Sequence, residues 1–99
     1  MRNKFLKGLK ILLVEDEKNL SSLLKNAIGD SFYSFSVAND GIEGLKMFKQ
    51  ISPDIVITDI MMPSMTGLDM AKEIKQLDKS VPIVIECDRE PVQRVAGSV

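Results

Sequence analysis

The sequence predicts an α/β fold, in which the strands of a parallel sheet alternate with helices. Four short apolar segments have the length of strands, and three longer segments between them repeat apolar residues at helical spacing. The resulting order, β-α-β-α-β-α-β, is typical of a parallel sheet covered by helices. Two of the predicted strands also end directly in acidic residues, with Ile11–Val14 followed by Glu15 and Ile55–Thr58 followed by Asp59.

Length and composition are those of one small globular domain. The chain has 99 residues, of which 44% are hydrophobic and 27% are charged, and this size is near the lower end for a single core. Its net charge of −1 gives no general attraction to nucleic acid or anionic membranes, and no segment approaches the ~20 apolar residues of a membrane span. The single Cys87 fits a reducing compartment. We therefore expect a cytoplasmic domain that contacts neither nucleic acid nor membranes directly.

Each predicted helix has an apolar stripe that we expect to face the sheet. The first helix ends near Gly29, and its stripe is Leu20, Leu23, Leu24, Ala27 and Ile28. The stripe of the second helix is Ile42, Leu45 and Phe48, and that of the third is Leu68, Ala71, Ile74 and Leu77. Asp40 with Glu43, and Thr66 with Asp69, have the spacing of helix-capping pairs.

The three strands after the first are shorter or more uniformly apolar. Phe35 and Val37 alternate with serines as a second strand. Ile55–Thr58 is continuous and β-branched, as expected for a strand covered on both faces, and Ile83–Ile85 follows as a fourth strand.

Glu15, Asp16 and Asp59 are predicted to meet at one edge of the sheet. Ligands of open parallel sheets bind beyond the carboxyl ends of the strands, and these residues follow the first and third strands. Like charges repel unless a cation lies among them, and carboxylates favour a hard cation over a soft metal. The alternative is a polar strand end with a helix cap at Glu15 and Asp16, and a turn residue at Asp59. Methionines near Asp59 are interpreted as loop and core residues: Met61, Met62 and Met65.

Two segments resemble the receiver domain of two-component response regulators. They are Leu12–Glu17 and the run from Pro53 to Gly67, which contains Asp59-x-x-Met62-Pro63-x-x-x-Gly67. The resemblance extends from about Lys10 to Ile85. It implies a flavodoxin-like (CheY-like) doubly wound parallel sheet, truncated here to about four strands and three to four helices. Residues 1–88 would form the truncated receiver domain and residues 89–99 a divergent C-terminal tail.

The resemblance also implies roles for the acidic residues. Asp59 would be the phosphoacceptor, receiving a phosphoryl group from a phosphohistidine of a sensor histidine kinase or phosphotransfer protein. The cofactor would be Mg²⁺, bound by Asp16, Asp59 and the backbone carbonyl of Met61, with Glu15 acting through a metal-bound water. Pro63 would set φ in the loop, and Gly67 would permit a turn before the third helix. The chain would then be a signalling domain rather than a conventional enzyme.

The resemblance weakens after Ile85. Cys87 stands at the family's switch position, where a Thr or Ser hydroxyl is usual, and a thiol is a weaker donor. Glu86 would be costly there if buried without a partner, and Asp88 adds negative charge. Residues 89–99 lack a pattern for the family's fifth strand, its Lys-Pro pair or its last helix. We therefore expect impaired phosphotransfer, and an exposed fourth strand that favours a homodimer or a domain-swapped assembly.

Two other functions remain open on the sequence. The first is a pseudo-receiver or fragment that acts only through protein–protein interaction or self-association, which the residues after Ile85 favour. The second is a Mg²⁺-dependent phosphohydrolase with an aspartyl nucleophile. Such enzymes usually carry a second Asp two residues after the nucleophile, and Met61 occupies that position here.

Overall fold

Strands and helices alternate in the computed structural model in the predicted order. The structure describes residues 6–60, 62 and 65–86. The strands are β1 (Lys10–Val14), β2 (Ser34–Ala38), β3 (Ile55–Asp59) and β4 (Ile83–Glu86). The helices are α1 (Lys18–Ile28), α2 (Gly41–Ile51) and α3 (Gly67–Leu77), with short 3-10 turns at Leu6–Gly8 and Gly29–Ser31. The predictions for Met61, Pro63, Cys87, Asp88 and residues 89–99 lie outside the described residues.

The four strands form one parallel sheet in the order β2-β1-β3-β4. Val14 of β1 pairs with Thr58 of β3, and Asp59 pairs with Glu86 of β4. Strand β1 has β2 on one side and β3 on the other. The direction in which successive strands are added to the sheet therefore reverses between β1 and β3. This is the point at which doubly wound sheets bind ligands. The predicted α/β fold is confirmed, with four strands and three α-helices in the described part of the chain.

The sheet separates two apolar clusters. On one face, α2 and α3 pack over the first cluster, whose buried members are Leu12, Val14, Ala38, Phe48, Val56, Met70, Ile74 and Val81. On the other face lie Ile11, Leu13 and Phe35, against which Leu24 of α1 packs. Alternate residues of β1 therefore belong to different clusters, as strand geometry requires.

Side chains near the start of each helix satisfy free backbone N–H groups. The Glu17 carboxylate accepts from the Leu20 N–H at 3.0 Å, and the Thr66 hydroxyl accepts from the Asp69 N–H at 3.1 Å. At α2, the Asp40 carboxylate accepts from the Glu43 N–H at 2.8 Å. The Glu43 side chain in turn accepts from the Asn39 N–H at 2.7 Å, one residue before the position of a standard capping box. The predicted caps at Asp40 and Thr66 are confirmed.

The predicted helical stripes were partly wrong. Leu24, Leu45, Phe48 and Ile74 do pack on the sheet. Several others are exposed instead: Leu23, Ala27, Ile28, Ile42, Leu68 and Leu77. The buried positions of α2 are Gly41, Gly44 and Phe48, and those of α3 are Gly67, Met70 and Ile74. Small residues lie where each of these helices approaches the sheet, so the buried stripe does not follow the largest apolar side chains.

The helices are short. Each of the three α-helices has 11 residues, and within the described ranges none has the length and hydropathy needed to cross a membrane.

Candidate functional site

Three carboxylates meet where β1 and β3 end. Val14 pairs with Thr58, so the next residues, Glu15 and Asp59, leave neighbouring strands side by side. One carboxylate oxygen from each of Glu15, Asp16 and Asp59 lies within 4.8 Å of the other two. Glu15 and Asp59 are each only 6% exposed, and Asp16 is half-buried. The structure thus brings together the three acidic residues that the sequence placed at this edge.

Backbone contacts hold the β1 side of this cluster. The Glu15 N–H donates to the Ala38 carbonyl of β2 at 2.9 Å, which extends the sheet pairing by one residue. The Glu15 carboxylate accepts from the Glu17 N–H at 3.1 Å, and Glu17 itself caps α1. The helix cap that the sequence suggested for Glu15 and Asp16 is therefore supplied by Glu17. Since one oxygen of Glu15 is directed to the Glu17 N–H, its carboxylate has a defined orientation.

The β3 side of the cluster rests on Thr58 and Gly67. The Thr58 side chain is fully buried, and its hydroxyl donates to the Asp59 carbonyl at 2.9 Å. The Gly67 N–H donates to the Ile60 carbonyl at 2.8 Å. A Cβ at Gly67 would collide with the Asp59 carbonyl oxygen. Helix α3 therefore begins in direct contact with the backbone of Asp59.

This contact corrects the predicted role of Gly67. The sequence suggested that Gly67 permits a backbone turn before the third helix, but no glycine in the described part of the chain has a positive φ. Gly67 is needed because there is no room for a side chain. Sequence reasoning also missed Thr58, although a hydroxyl in an otherwise apolar strand was a signal.

The end of β4 adds a fourth acidic residue to this edge of the sheet. Glu86 pairs in register with Asp59, and its side chain is exposed. The desolvation cost that we expected for Glu86 therefore does not arise, because the carboxylate stays in water. The other two predicted site groups, the Met61 carbonyl and the Cys87 thiol, lie outside the described residues.

The carboxylate cluster fits a hard divalent cation. Mg²⁺ binds oxygen ligands at about 2.0–2.1 Å in an octahedron, so its ligand oxygens are about 3–4 Å apart. Oxygens within 4.8 Å of one another are close to that spacing. The chain has no histidine and a single cysteine, which are the usual ligands of softer metals. Its donor chemistry thus favours Mg²⁺.

Comparisons with known proteins agree with the fold. The family model of the response regulator receiver domain matches residues 11–96. Response regulator MprA of Mycobacterium leprae is 33% identical over 90 residues, which are 90% of this chain and 40% of that protein. The chain thus spans less than half the length of this curated relative.

Solved structures with the same fold include two described as response regulator proteins. A receiver domain protein from Clostridium thermocellum superposes with a TM-score of 0.76 at 28% identity, over 91% of this chain and 73% of that chain. Response regulator TrrA of Thermotoga maritima, solved in complex with Mg²⁺-BeF, gives a TM-score of 0.67 at 28% identity, over 89% of this chain and 95% of that chain. The chain therefore belongs to the family of response regulator receiver domains.

Proposed function

We propose that this domain receives a phosphoryl group on Asp59 from a phosphohistidine of a sensor histidine kinase or phosphotransfer protein, with Mg²⁺ as cofactor. The observation that carries the proposal is the approach of Glu15, Asp16 and Asp59, whose carboxylate oxygens lie within 4.8 Å of one another. A receiver domain is a signalling domain, and the chemistry proposed for Asp59 is limited to its own phosphorylation.

The reaction is an in-line displacement at phosphorus. An Asp59 carboxylate oxygen forms a bond to phosphorus while the bond from phosphorus to the donor imidazole nitrogen breaks. Because the other ring nitrogen of the phosphohistidine carries a proton, the imidazole leaves as the neutral base with the electron pair of the broken bond, and Asp59 becomes an acyl phosphate. Asp59 has a short side chain and is buried at the end of β3, which restricts the directions from which a donor can approach its carboxylate.

The other two acidic residues of the cluster would fix the position of the metal and, through it, reduce charge repulsion at Asp59. Glu15 and Asp16 would hold the metal next to Asp59, and the family resemblance adds the Met61 carbonyl as a further ligand. Bound Mg²⁺ reduces the repulsion between the anionic carboxylate and the anionic phosphoryl group. The hydrogen bond from the Glu17 N–H keeps the Glu15 carboxylate oriented for this role.

The test is intact mass after incubation with acetyl phosphate and Mg²⁺. The wild-type protein should gain one phosphoryl group, and Asp59→Asn should gain none. Asp54→Asn is the matched control, because Asp54 stands just before the other end of β3 and its carboxylate accepts from the Lys10 N–H at 2.8 Å. An asparagine oxygen can keep that bond, so this variant should be phosphorylated normally.

A different result would separate the alternatives. If the wild-type protein gains no phosphoryl group, the phosphoacceptor proposal is contradicted and a pseudo-receiver acting only through protein contacts is favoured. If Asp59→Asn is phosphorylated as well as the wild type, the acceptor is another residue.

We further propose that the domain works in the cytoplasm as a homodimer or domain-swapped assembly, without direct contact to nucleic acid or membranes. Leu23 of α1 is 63% exposed, and Ile28 at the end of the same helix is 39% exposed. Val84 of β4, 46% exposed, lies in one cross-strand row with Ile57 and Leu13, on the sheet face that α1 covers only in part. We call Leu23, Ile28 and Val84 the α1–β4 face.

A second copy of the chain is the proposed occupant of the α1–β4 face. β4 is an edge strand of the described sheet, and edge strands readily pair with one another. A two-fold axis would bring the same apolar residues of both copies together.

A further inference from the structure

Thr58 is a polar residue in the middle of the sheet, and its burial requires an explanation. It lies between Val14 of β1 and Ile85 of β4 in the strand register, and its side chain is fully buried. Valine would fill the same volume and suits such a strand better, since a buried hydroxyl costs free energy unless it is hydrogen-bonded. The Thr58 hydroxyl makes such a bond, donating to the Asp59 carbonyl at 2.9 Å.

This bond belongs to a group of contacts around the backbone that follows Asp59. The Thr58 hydroxyl donates to the Asp59 carbonyl, and the Gly67 N–H donates to the next carbonyl, that of Ile60, at 2.8 Å. The Cβ position of Gly67 lies 3.1 Å from the Thr58 hydroxyl oxygen and against the Asp59 carbonyl. Two consecutive carbonyl groups are therefore held, one by the hydroxyl from β3 and one by the start of α3.

We propose that Thr58 is a positioning residue for the Mg²⁺ site. Its hydroxyl holds the peptide between Asp59 and Ile60 in one orientation, and the chain continues from that peptide to Met61. The Thr58 hydroxyl bonds the backbone carbonyl of Asp59, so the role proposed for Thr58 is to hold this peptide and not to react. This role rests on the proposed function only because it takes Mg²⁺ to be the ion that binds at this site.

The first test uses the protein without metal. In Thr58→Val the shape of the side chain is kept and the hydroxyl is lost, so the Gly67 amide should exchange with solvent several-fold faster than in the wild type. Thr58→Ser keeps the hydroxyl and should restore slow exchange at Gly67. The Met70 amide, which donates to the Thr66 carbonyl within α3, should exchange at the same rate in all three proteins.

The second test measures Mg²⁺ binding by isothermal titration calorimetry. We expect Thr58→Val to raise the Kd for Mg²⁺ about tenfold, the size typical of residues that orient metal ligands, and Thr58→Ser to stay close to wild type. With acetyl phosphate, Thr58→Val should need a higher Mg²⁺ concentration for half-maximal phosphorylation, while the rate at saturating Mg²⁺ stays near that of the wild type.

Val56→Ala is the control for a purely structural effect. Val56 is buried in the same strand two residues earlier, so its truncation should lower stability without changing the Kd for Mg²⁺. An unchanged Kd in Thr58→Val, or an equal rise in Val56→Ala, would overturn the positioning role. Absence of Mg²⁺ binding by the wild type would instead contradict the proposed function, and the exchange rate of Gly67 would then decide the claim about Thr58.

Discussion

At the scale of single residues, the main feature is the accumulation of negative charge at one sheet edge. Two carboxylates whose oxygens lie within 4.8 Å of each other repel by about 1–3 kcal/mol for effective dielectric constants between those of water and a protein surface. In a folded domain this repulsion lowers stability unless other contacts or a cation offset it. The same arrangement favours a divalent cation. Neutralising one of the carboxylates should therefore raise the stability of the metal-free protein and lower its affinity for Mg²⁺.

The variant Asp16→Asn tests this opposition. We expect it to raise the free energy of unfolding of the metal-free protein by about 1 kcal/mol because one repulsion is removed, and to raise the Kd for Mg²⁺ by roughly tenfold or more because one anionic ligand is lost. Urea unfolding without metal and calorimetric titration with Mg²⁺ measure the two effects. Asp30→Asn, at an exposed residue away from the site, should change neither. A loss of stability in metal-free Asp16→Asn would contradict the repulsion argument.

At the scale of secondary structure elements, the contact between α3 and β3 is the one that shapes the site. Gly67 begins α3 against the Asp59 carbonyl, and Gly44 brings α2 close to Val14 and Met70. The two contacts differ in kind, because Gly44 faces side chains, the flexible Met70 and the stiffer Val14, and Gly67 faces backbone. A side chain at position 67 must therefore displace either the helix or the backbone of Asp59.

The variant Gly67→Ala should destabilise the domain by about 2–3 kcal/mol, since overpacking against rigid backbone is not relieved by a rotamer change. Gly8→Ala is the matched control, because a Cβ at Gly8 would meet no atom within 4 Å. It should alter stability by less than about 0.5 kcal/mol. Chemical denaturation of the two variants beside the wild type measures both values. If Gly67→Ala is as stable as Gly8→Ala, the close approach of α3 to Asp59 does not constrain the fold.

At the scale of the whole molecule, the two faces of the sheet are covered unequally. Helices α2 and α3 lie over one face and α1 over the other in the described part of the chain. Val84 of the α1–β4 face lies on the sheet face covered by α1 and is 46% exposed, and the proposed assembly would cover the α1–β4 face with the same residues of a second copy.

Sedimentation velocity of Leu23→Glu tests the proposed assembly. The wild type should be dimeric at micromolar concentration, and Leu23→Glu should dissociate at least tenfold more readily, because burial of a leucine contributes about 1.5–3 kcal/mol and a factor of ten corresponds to about 1.4 kcal/mol. Ile42→Glu is the control, since Ile42 is 54% exposed on α2, over the opposite face of the sheet. A wild-type protein that sediments only as a monomer would contradict the assembly.

The features that sequence predicted best depend on neighbouring residues or on strand ends. Capping at Asp40 and Thr66 involves residues three positions apart, and the approach of Glu15 to Asp59 follows once both strands are placed in a parallel sheet. The inward faces of the helices were harder to predict, because Ser21 is 5% exposed while the larger Leu23, two residues later, is 63% exposed. Hydrophobicity alone does not report how closely a helix approaches the sheet.

The sequence by itself determined the order of strands and helices, the three carboxylates at the strand ends and the family resemblance, because each is expressed in local pattern and spacing. The tertiary structure alone decided that Glu17 caps α1, that Thr58 bonds the Asp59 carbonyl and that Gly67 has no room for a side chain. The last of these depends on where α3 lies relative to β3. That distance is set by packing across the whole domain, which no short stretch of sequence contains.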